Sequence, residues 1–200
     1  MNLYLVRHGT TEWNRLDLVQ GQADLPLDKG GRREVEKAAQ DLSLRSLRVD
    51  GILTSPLQRA TETAQILSQA LSLTSPPEAF EEFREFQCGL WEGVHFLTVR
   101  QDPRYEYERV SHDASYPIPG GESFLDVVRR VEKGWKRVEE LYAGKDILLV
   151  THVVVTRALL FLLFGFPYET LRSFRLDNAG FCHLQKGEHR YYLRLWNHKG

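Results

Sequence analysis

Leu3-Tyr4-Leu5-Val6 runs directly into Arg7-His8-Gly9-Thr10-Thr11-Glu12, and this junction decides how the chain is to be folded. A short apolar run that stops abruptly at a polar string reads as a buried strand followed by a loop. The same pattern recurs where Gly51-Ile52-Leu53-Thr54 gives way to Ser55-Pro56, and again where Asp146-Ile147-Leu148-Leu149-Val150-Thr151 meets His152. Helical rhythms lie between and after these runs. Lys29 to Leu47 carries Val35, Ala38, Ala39 and Leu42 at three- and four-residue steps. Proline in a first turn and serine as N-cap predict a helix starting at Ser55-Pro56, with Ala60, Ala64, Ile66, Leu67 and Leu71 along it. Phe124, Val127, Val128, Val131, Trp135, Val138 and Leu141 predict a long amphipathic helix, and Val153 to Phe164 an apolar one. Gly180 to Gln185 and Arg190 to Trp196 alternate around Lys186-Gly187-Glu188, which predicts a hairpin. Thr74 to Pro117 is the least regular stretch. Strands alternating with helices predict an α/β sheet covered on both faces.

The 200 residues suit one domain, with roughly 70% of the unfolded surface buried on folding. Twenty-six basic and 27 acidic side chains leave a formal charge of −1, which argues against nucleic acid or an anionic membrane as partner. Arginine outnumbers lysine 19 to 7, a bias that fits either genome composition or recognition of phosphate and carboxylate. Cys88 and Cys182 form no CxxC pair, so neither a disulfide framework nor a zinc site is expected. The first residues lack a signal-peptide pattern, and the longest apolar run, Ala158 to Phe166, is too short for a membrane span. A cytoplasmic location is the expectation; nothing in the sequence sets an oligomeric state.

Unusual polar residues fall at three strand ends: Arg7 and His8 after the first, Arg59 one turn into the helix after the second, His152 after the third. Ligands of open α/β sheets bind at the carboxyl ends of strands, so these ends bring two arginines and two histidines toward one place. Two converging guanidinium groups repel unless an anion sits between them, and together they form a bidentate clamp for a dianion. A neutral imidazole whose other nitrogen donates to a carbonyl is a competent nucleophile toward phosphorus. A leaving alkoxide then needs a proton. Glu85, between Phe83 and Phe86, is a candidate acid, with Glu81, Glu82 and Glu92 as rivals that spacing does not remove.

Arg7-His8-Gly9-Thr10-Thr11-Glu12-Trp13-Asn14 resembles the RHG-T-E-x-N signature of the histidine phosphatase (phosphoglycerate mutase-like) superfamily. Ser55-Pro56-Leu57-Gln58-Arg59-Ala60, Glu85 followed by Gly89-Leu90-Trp91-Glu92-Gly93, Pro119-Gly120-Gly121-Glu122-Ser123 and Val150-Thr151-His152 extend the resemblance, in family order, along nearly the whole chain. The resemblance implies a three-layer α/β/α sandwich around a mostly parallel sheet and a single domain over 1–200. It implies His8 as the phosphorylated nucleophile, Arg7, Arg59 and His152 as the phosphate pocket, and Glu85 as the proton donor. Asn14, Gln20 and Gly21 match positions lining the phosphate or substrate pocket. No metal and no cofactor are implied, and the partner is a small phosphorylated metabolite.

Two departures stand out. Val153 replaces the glycine that commonly follows the second histidine, and the variable segment at about 94–118 is short beside the insertion typical of mutases. A shorter cover favours hydrolysis of a phosphohistidine over its transfer, so the expected activity is that of a metal-independent phosphomonoesterase. The alternatives are a cofactor-dependent phosphoglycerate mutase and a non-catalytic phospho-ligand binding module. P-loop and HExxH motifs are absent from the sequence. Within the variable segment, His95, Arg100, Arg104, Tyr105, Arg109 and His112 either meet the non-reacting end of the substrate or form a solvated face balanced by Asp102, Glu106 and Glu108.

Overall fold

In the computed structural model, which describes residues 1–41, 47 and 49–199, six strands form one sheet. They are β1 (Asn2–Arg7), β2 (Gly51–Thr54), β3 (Glu78–Ala79), β4 (Ile147–Thr151), β5 (Phe181–Lys186) and β6 (Tyr191–His198), in the order β3-β2-β4-β1-β5-β6. β1 to β4 pair in parallel, whereas β5 runs against both β1 and β6. The C-terminal hairpin expected from alternation is β5–β6.

Side-chain alternation along the strands explains the layers. Leu3, Leu5, Leu53, Ile147 and Leu149 enter one core, packed with Val127, Val131 and Leu159. Tyr4, Val6, Ile52, Leu148 and Val150 enter the other, with Val35, Ala60 and Ala64. Helices α2 (Lys29–Gln40) and α3 (Gln58–Ala70) therefore cover one face, and α6 (Phe124–Leu141) and α7 (Val153–Phe164) the other. Two covered faces are why these strands read as unbroken apolar runs. The result is the expected α/β/α sandwich with a mostly parallel sheet. Among the described residues no helix is long and apolar enough to cross a membrane.

Short elements complete the chain: α1 (Glu12–Arg15), α4 (Phe96–Gln101), α5 (Tyr107–His112) and α8 (Tyr168–Leu171). β3 and the 3-10 turns at Glu81–Phe83 and Gly89–Trp91 occupy the stretch that showed no period, because two- and three-residue elements are too short to carry one. The helix expected over Lys29 to Leu47 is helical to Gln40, and its continuation over 42–46 lies outside the described residues. Ser55 is not an N-cap. α3 begins at Gln58, behind Leu57, with no side-chain cap, and the Ser55 hydroxyl is used elsewhere.

The loop after β1 is held by close backbone packing against the start of α2. Asp28, its N-cap, accepts from the Gly31 amide at 2.7 Å and donates its own amide to the Thr10 carbonyl at 3.0 Å. A Cβ on Gly31 would strike the backbone of Thr10, and one on Gly9 would lie 2.7 Å from the Gly31 carbonyl oxygen. At Gly30, next door, the nearest atoms are all side-chain atoms: the end of the flexible Arg15 at 2.7 Å and Asp28 Oδ1 at 3.1 Å. Gly31→Ala is therefore expected to lower unfolding free energy by about 1–3 kcal/mol in urea titrations, and Gly30→Ala to stay within about 0.5 kcal/mol of wild type. Equal effects at the two positions would show that the contact does not constrain the loop.

Candidate active site

Parallel pairing sets three chain exits side by side. Arg7 lies opposite Thr151, the His8 amide donates to the Thr151 carbonyl at 3.1 Å, and the Ser55 amide donates to the Val150 carbonyl at 3.0 Å. The rings of His8 and His152 consequently come to 5.1 Å between centroids, inclined at 58°. Both are buried. His8 faces a cavity of about 520 Å³, while His152 stands behind that wall and is not part of its lining.

His8 Nδ1 lies 2.8 Å from the carbonyl oxygen of Gly9. A carbonyl only accepts, so Nδ1 carries the proton and the lone pair is on Nε2. Burial, then the charges of Arg59 and Arg7, push the His8 pKa well below its ordinary value. His152 is lowered in the same direction by burial, Arg59 and His8. Its Nε2 lies 2.8 Å from Ser55 Oγ, and its buried Nδ1 has no partner. Ser55 Oγ also accepts from the Leu57 amide at 3.3 Å, so this hydroxyl ties the start of α3 to the His152 ring.

Arg59 is fully buried. Its Nη1 donates to the Ala23 carbonyl at 2.7 Å and its Nη2 to the Gly21 carbonyl at 2.8 Å, but among the described residues Nε has no partner and no carboxylate pairs with it. Burial pushes its pKa down to about 10, against the pull of Glu85 and Asp24. Arg7 is alike: Nη1 reaches the Leu176 carbonyl at 2.7 Å, Nε is unpartnered, and burial lowers its pKa. Removing a cation from water costs several kcal/mol unless a counter-charge compensates. Two such cations beside two neutral imidazoles make a site for an anion. Among the described residues no group of three or more His, Cys, Asp or Glu side chains gathers as a metal site.

Of the four glutamates left open by spacing, Glu85 lines the cavity and Glu81, Glu82 and Glu92 do not. Burial raises the Glu85 pKa, opposed by its hydrogen bond from the Phe86 amide at 2.8 Å and by Arg59, Arg7 and Arg130. Arg130 of α6 fixes the segment around it: Nη1 binds the carbonyls of Glu82 and Arg84 at 2.8 and 2.6 Å, and Nη2 that of Glu85 at 3.0 Å. Glu122, from the Pro119-Gly120-Gly121-Glu122-Ser123 block, receives Arg130 Nε at 2.9 Å and the Gln87 amide at 2.9 Å. Nothing in the periodicity of α6 singles out Arg130; the adjacent Pro-Gly-Gly-Glu block is the signal that marks its partner.

Asn14, Gln20 and Gly21 also line the cavity. Asn14 Oδ1 accepts from the Thr11 amide and from Asn178 Nδ2, each at 3.1 Å, so its oxygen is committed while its amide nitrogen has no partner among the described residues. Gln20 donates to Thr11 Oγ1, and Gly21 acts through the carbonyl that holds Arg59. Val153 is in the wall, with Val154. The polar residues expected from the variable segment are not: His95, Arg100, Arg104, Tyr105, Arg109 and His112 are all absent from the lining. Arg104 is paired with Asp102 at 2.6 Å, Arg109 lies over Tyr116 at 3.8 Å, and Glu106 accepts from the Tyr116 hydroxyl at 2.7 Å. The solvated face is the outcome. The segment contributes Phe96, Tyr107, Val110 and Ser111 instead, and the arginines at the outer wall are Arg157, Arg172 and Arg175.

The family model for the histidine phosphatase superfamily (branch 1) matches residues 3–199. The chain belongs to that superfamily. A probable phosphoglycerate mutase GpmB of Yersinia pestis is 32% identical over 198 residues, spanning 98% of this chain and 90% of its own. The mycobacterial glucosyl-3-phosphoglycerate phosphatase, solved with VO3, superimposes with a TM-score of 0.86 at 28% identity over 98% of both chains. The α-ribazole phosphatase of Shigella flexneri gives 0.86 at 30% identity over 99% of this chain and 96% of its own.

For this histidine phosphatase superfamily member, the buried cations predict a measurable ligand effect. Inorganic phosphate is expected to raise the thermal midpoint increasingly with concentration, as binding to the native state alone requires. Arg59→Met should lose that dependence. A wild-type midpoint unmoved by tens of millimolar phosphate would show that the arginines do not make an anion site.

Proposed function

We propose that the chain hydrolyses small phosphate monoesters through a phosphohistidine at His8. The observation that carries this is the Nδ1–H bond of His8 to the Gly9 carbonyl, which leaves the Nε2 lone pair in a cavity walled by Arg7 and Arg59. In the first step His8 Nε2 attacks phosphorus and the ester P–O bond breaks. The leaving oxygen takes the proton of Glu85, whose raised pKa suits an acid at neutral pH. Arg7 and Arg59 hold the phosphoryl oxygens, with the side-chain amide of Asn14 as a neutral donor and His152 packed against the His8 ring. In the second step the Glu85 carboxylate takes a proton from water as its oxygen attacks phosphorus, the N–P bond breaks, and phosphate leaves with His8 neutral again.

Similarity to phosphatases of known structure supports hydrolysis, as does the short segment at 94–118, which adds only Phe96, Tyr107, Val110 and Ser111 to the cavity lining. Similarity to a probable phosphoglycerate mutase supports the transferase reading. Product analysis separates them: phosphoglycerate should release inorganic phosphate or remain intact, and appearance of its positional isomer would establish a mutase. Since arginines supply the positive charge here, activity is expected to survive chelator.

His8→Ala should abolish turnover, and brief exposure of the wild type to substrate should leave acid-labile phosphate on that residue. Glu85→Gln should slow alkyl phosphates by about 10²–10⁴-fold and aryl phosphates with good leaving groups far less. The pH dependence follows from the directions of the shifts. Glu85 acts when protonated, so kcat/KM for alkyl esters should fall as pH rises through its raised pKa. Both histidines act neutral and are pushed low, so no acid limb is expected near their ordinary 6.5. An alkaline limb that persists in Glu85→Gln would reassign the acid.

A further inference from the structure

The lining of the cavity holds a further cationic pair, Arg157 and Arg172, for which the two-step chemistry has no use. Arg157 of α7 is partly buried; its Nε is enclosed without a partner, and its sole hydrogen bond is a long one, 3.4 Å from Nη2 to the Phe174 carbonyl. No carboxylate pairs with it among the described residues. Burial lowers its pKa, and the charge of Arg172 lowers it further against the pull of Glu85 and Tyr168. Arg172, just past α8, is exposed but held in place: Nη1 donates to the Ser111 carbonyl and Nη2 to the Tyr107 hydroxyl, both at 3.0 Å. Its guanidinium carbon lies 5.8 Å from the centre of the Tyr107 ring. Two like charges kept facing one cavity, one of them without a counter-ion, is the arrangement that marks the inner anion site as well.

The cavity's size adds a second constraint. About 520 Å³ is the volume of a pocket for a ring-bearing ligand, far more than a phosphoryl group fills. Trp91, Phe96, Tyr107, Phe124 and Tyr168 line it together with the arginines. Aromatic faces of this kind take the flat body of a ligand, and a guanidinium fork takes a planar or tetrahedral anion bidentately.

We infer that Arg157 and Arg172 bind a second anionic group, so that the preferred substrates are phosphate monoesters of a ring-bearing alcohol that also carries a carboxylate or a phosphoryl-type anion. This rests on the inner site binding the ester phosphate as proposed above. Arg157 and Arg172 are specificity-determining residues here, since they touch the leaving half of the substrate and not the reacting phosphorus. Asp17 and Asp177 also line the cavity, and Asp177 is turned toward Asn197 Nδ2 at 3.3 Å and Lys199 Nζ at 4.0 Å.

Three aryl phosphates test the inference: 4-carboxyphenyl phosphate, its neutral match 4-carbamoylphenyl phosphate, and 4-(phosphonomethyl)phenyl phosphate. Wild-type kcat/KM should favour one or both charged probes over the neutral one by about tenfold or more, the worth of a hydrogen bond between charged partners. Whichever charged probe leads identifies the anion. Arg157→Gln and Arg172→Gln should each reduce the ratio, and the double variant should bring it near one. Because each ratio is taken within one protein, the fraction folded cancels. The same ratio is read as relative affinity by calorimetry on His8→Ala, which needs no turnover. Absence of any preference for charge, or a preference that survives in the double variant, overturns the inference. Failure to hydrolyse even the neutral probe, with the affinity preference intact, would instead overturn the proposed hydrolysis and leave the second anion site standing.

Discussion

Everything at the site depends on the in-register parallel pairing of β1 and β2 with β4. Val6 and Thr54 both stand opposite Val150, so three segments leave the sheet at one level. Main-chain bonds continue past the strands, from His8 to Thr151 and from Ser55 to Val150, and carry that alignment into the loops. A slip of one residue in either pair would turn His8 or Ser55 to the opposite face and empty the core of its leucines. Core packing and site geometry are therefore fixed by the same register, and the sheet's two apolar faces hold it.

Electrostatics then sorts the protonation states. Arg59 is buried and Arg7 half-buried, neither with a carboxylate partner among the described residues, and their charge, added to the burial of the rings, favours neutral His8 and His152. The same burial acts on Glu85 in the opposite sense and raises it, although both arginines pull it down. Desolvation thus favours the uncharged form of the base and of the acid together. Water would blur that sorting, which is why the loop from Phe83 to Cys88 matters. Arg130 gathers the carbonyls of Glu82, Arg84 and Glu85 and delivers its charge to Glu122, so the carboxyl of Glu85 is held without an arginine forked onto it.

Much of this could be read from the chain alone, and the remainder fails for identifiable reasons. The apolar runs at 3–6, 51–54 and 147–151 state their burial outright, and the polar residues at their ends name the site. Spacing does not choose among four glutamates, because the 3-10 turn at Glu81–Phe83 and the irregular chain after it give no fixed side-chain period. Ser55 looked like a helix cap because serine before proline usually is one; its partner, His152, is 97 residues away and invisible to local pattern. The arginines of the variable segment drew attention by composition, yet Arg104 folds back on Asp102 two residues before it and Arg109 stacks on Tyr116. Short-range partners capture a flexible cation before a distant cavity does. Arg157, by contrast, sits inside an apolar helix and showed no sequence signal beyond being the one charge there.

The proposed hydrolysis has a consequence for selectivity. Arg59 is anchored to the Gly21 and Ala23 carbonyls, so in that reaction its grip on the phosphoryl group would be similar for substrate, intermediate and product. Tight uniform binding of that kind lowers KM without choosing among leaving groups, and it retains the product phosphate as well. Discrimination must then come from contacts that exist only while the ester is intact. If Arg157 and Arg172 hold the alcohol half as inferred above, those contacts are theirs and those of the aromatic rings beside them in the lining, and they end when the P–O bond breaks. One chemistry at the strand ends would then be kept while the rest of the lining sets which ester is taken.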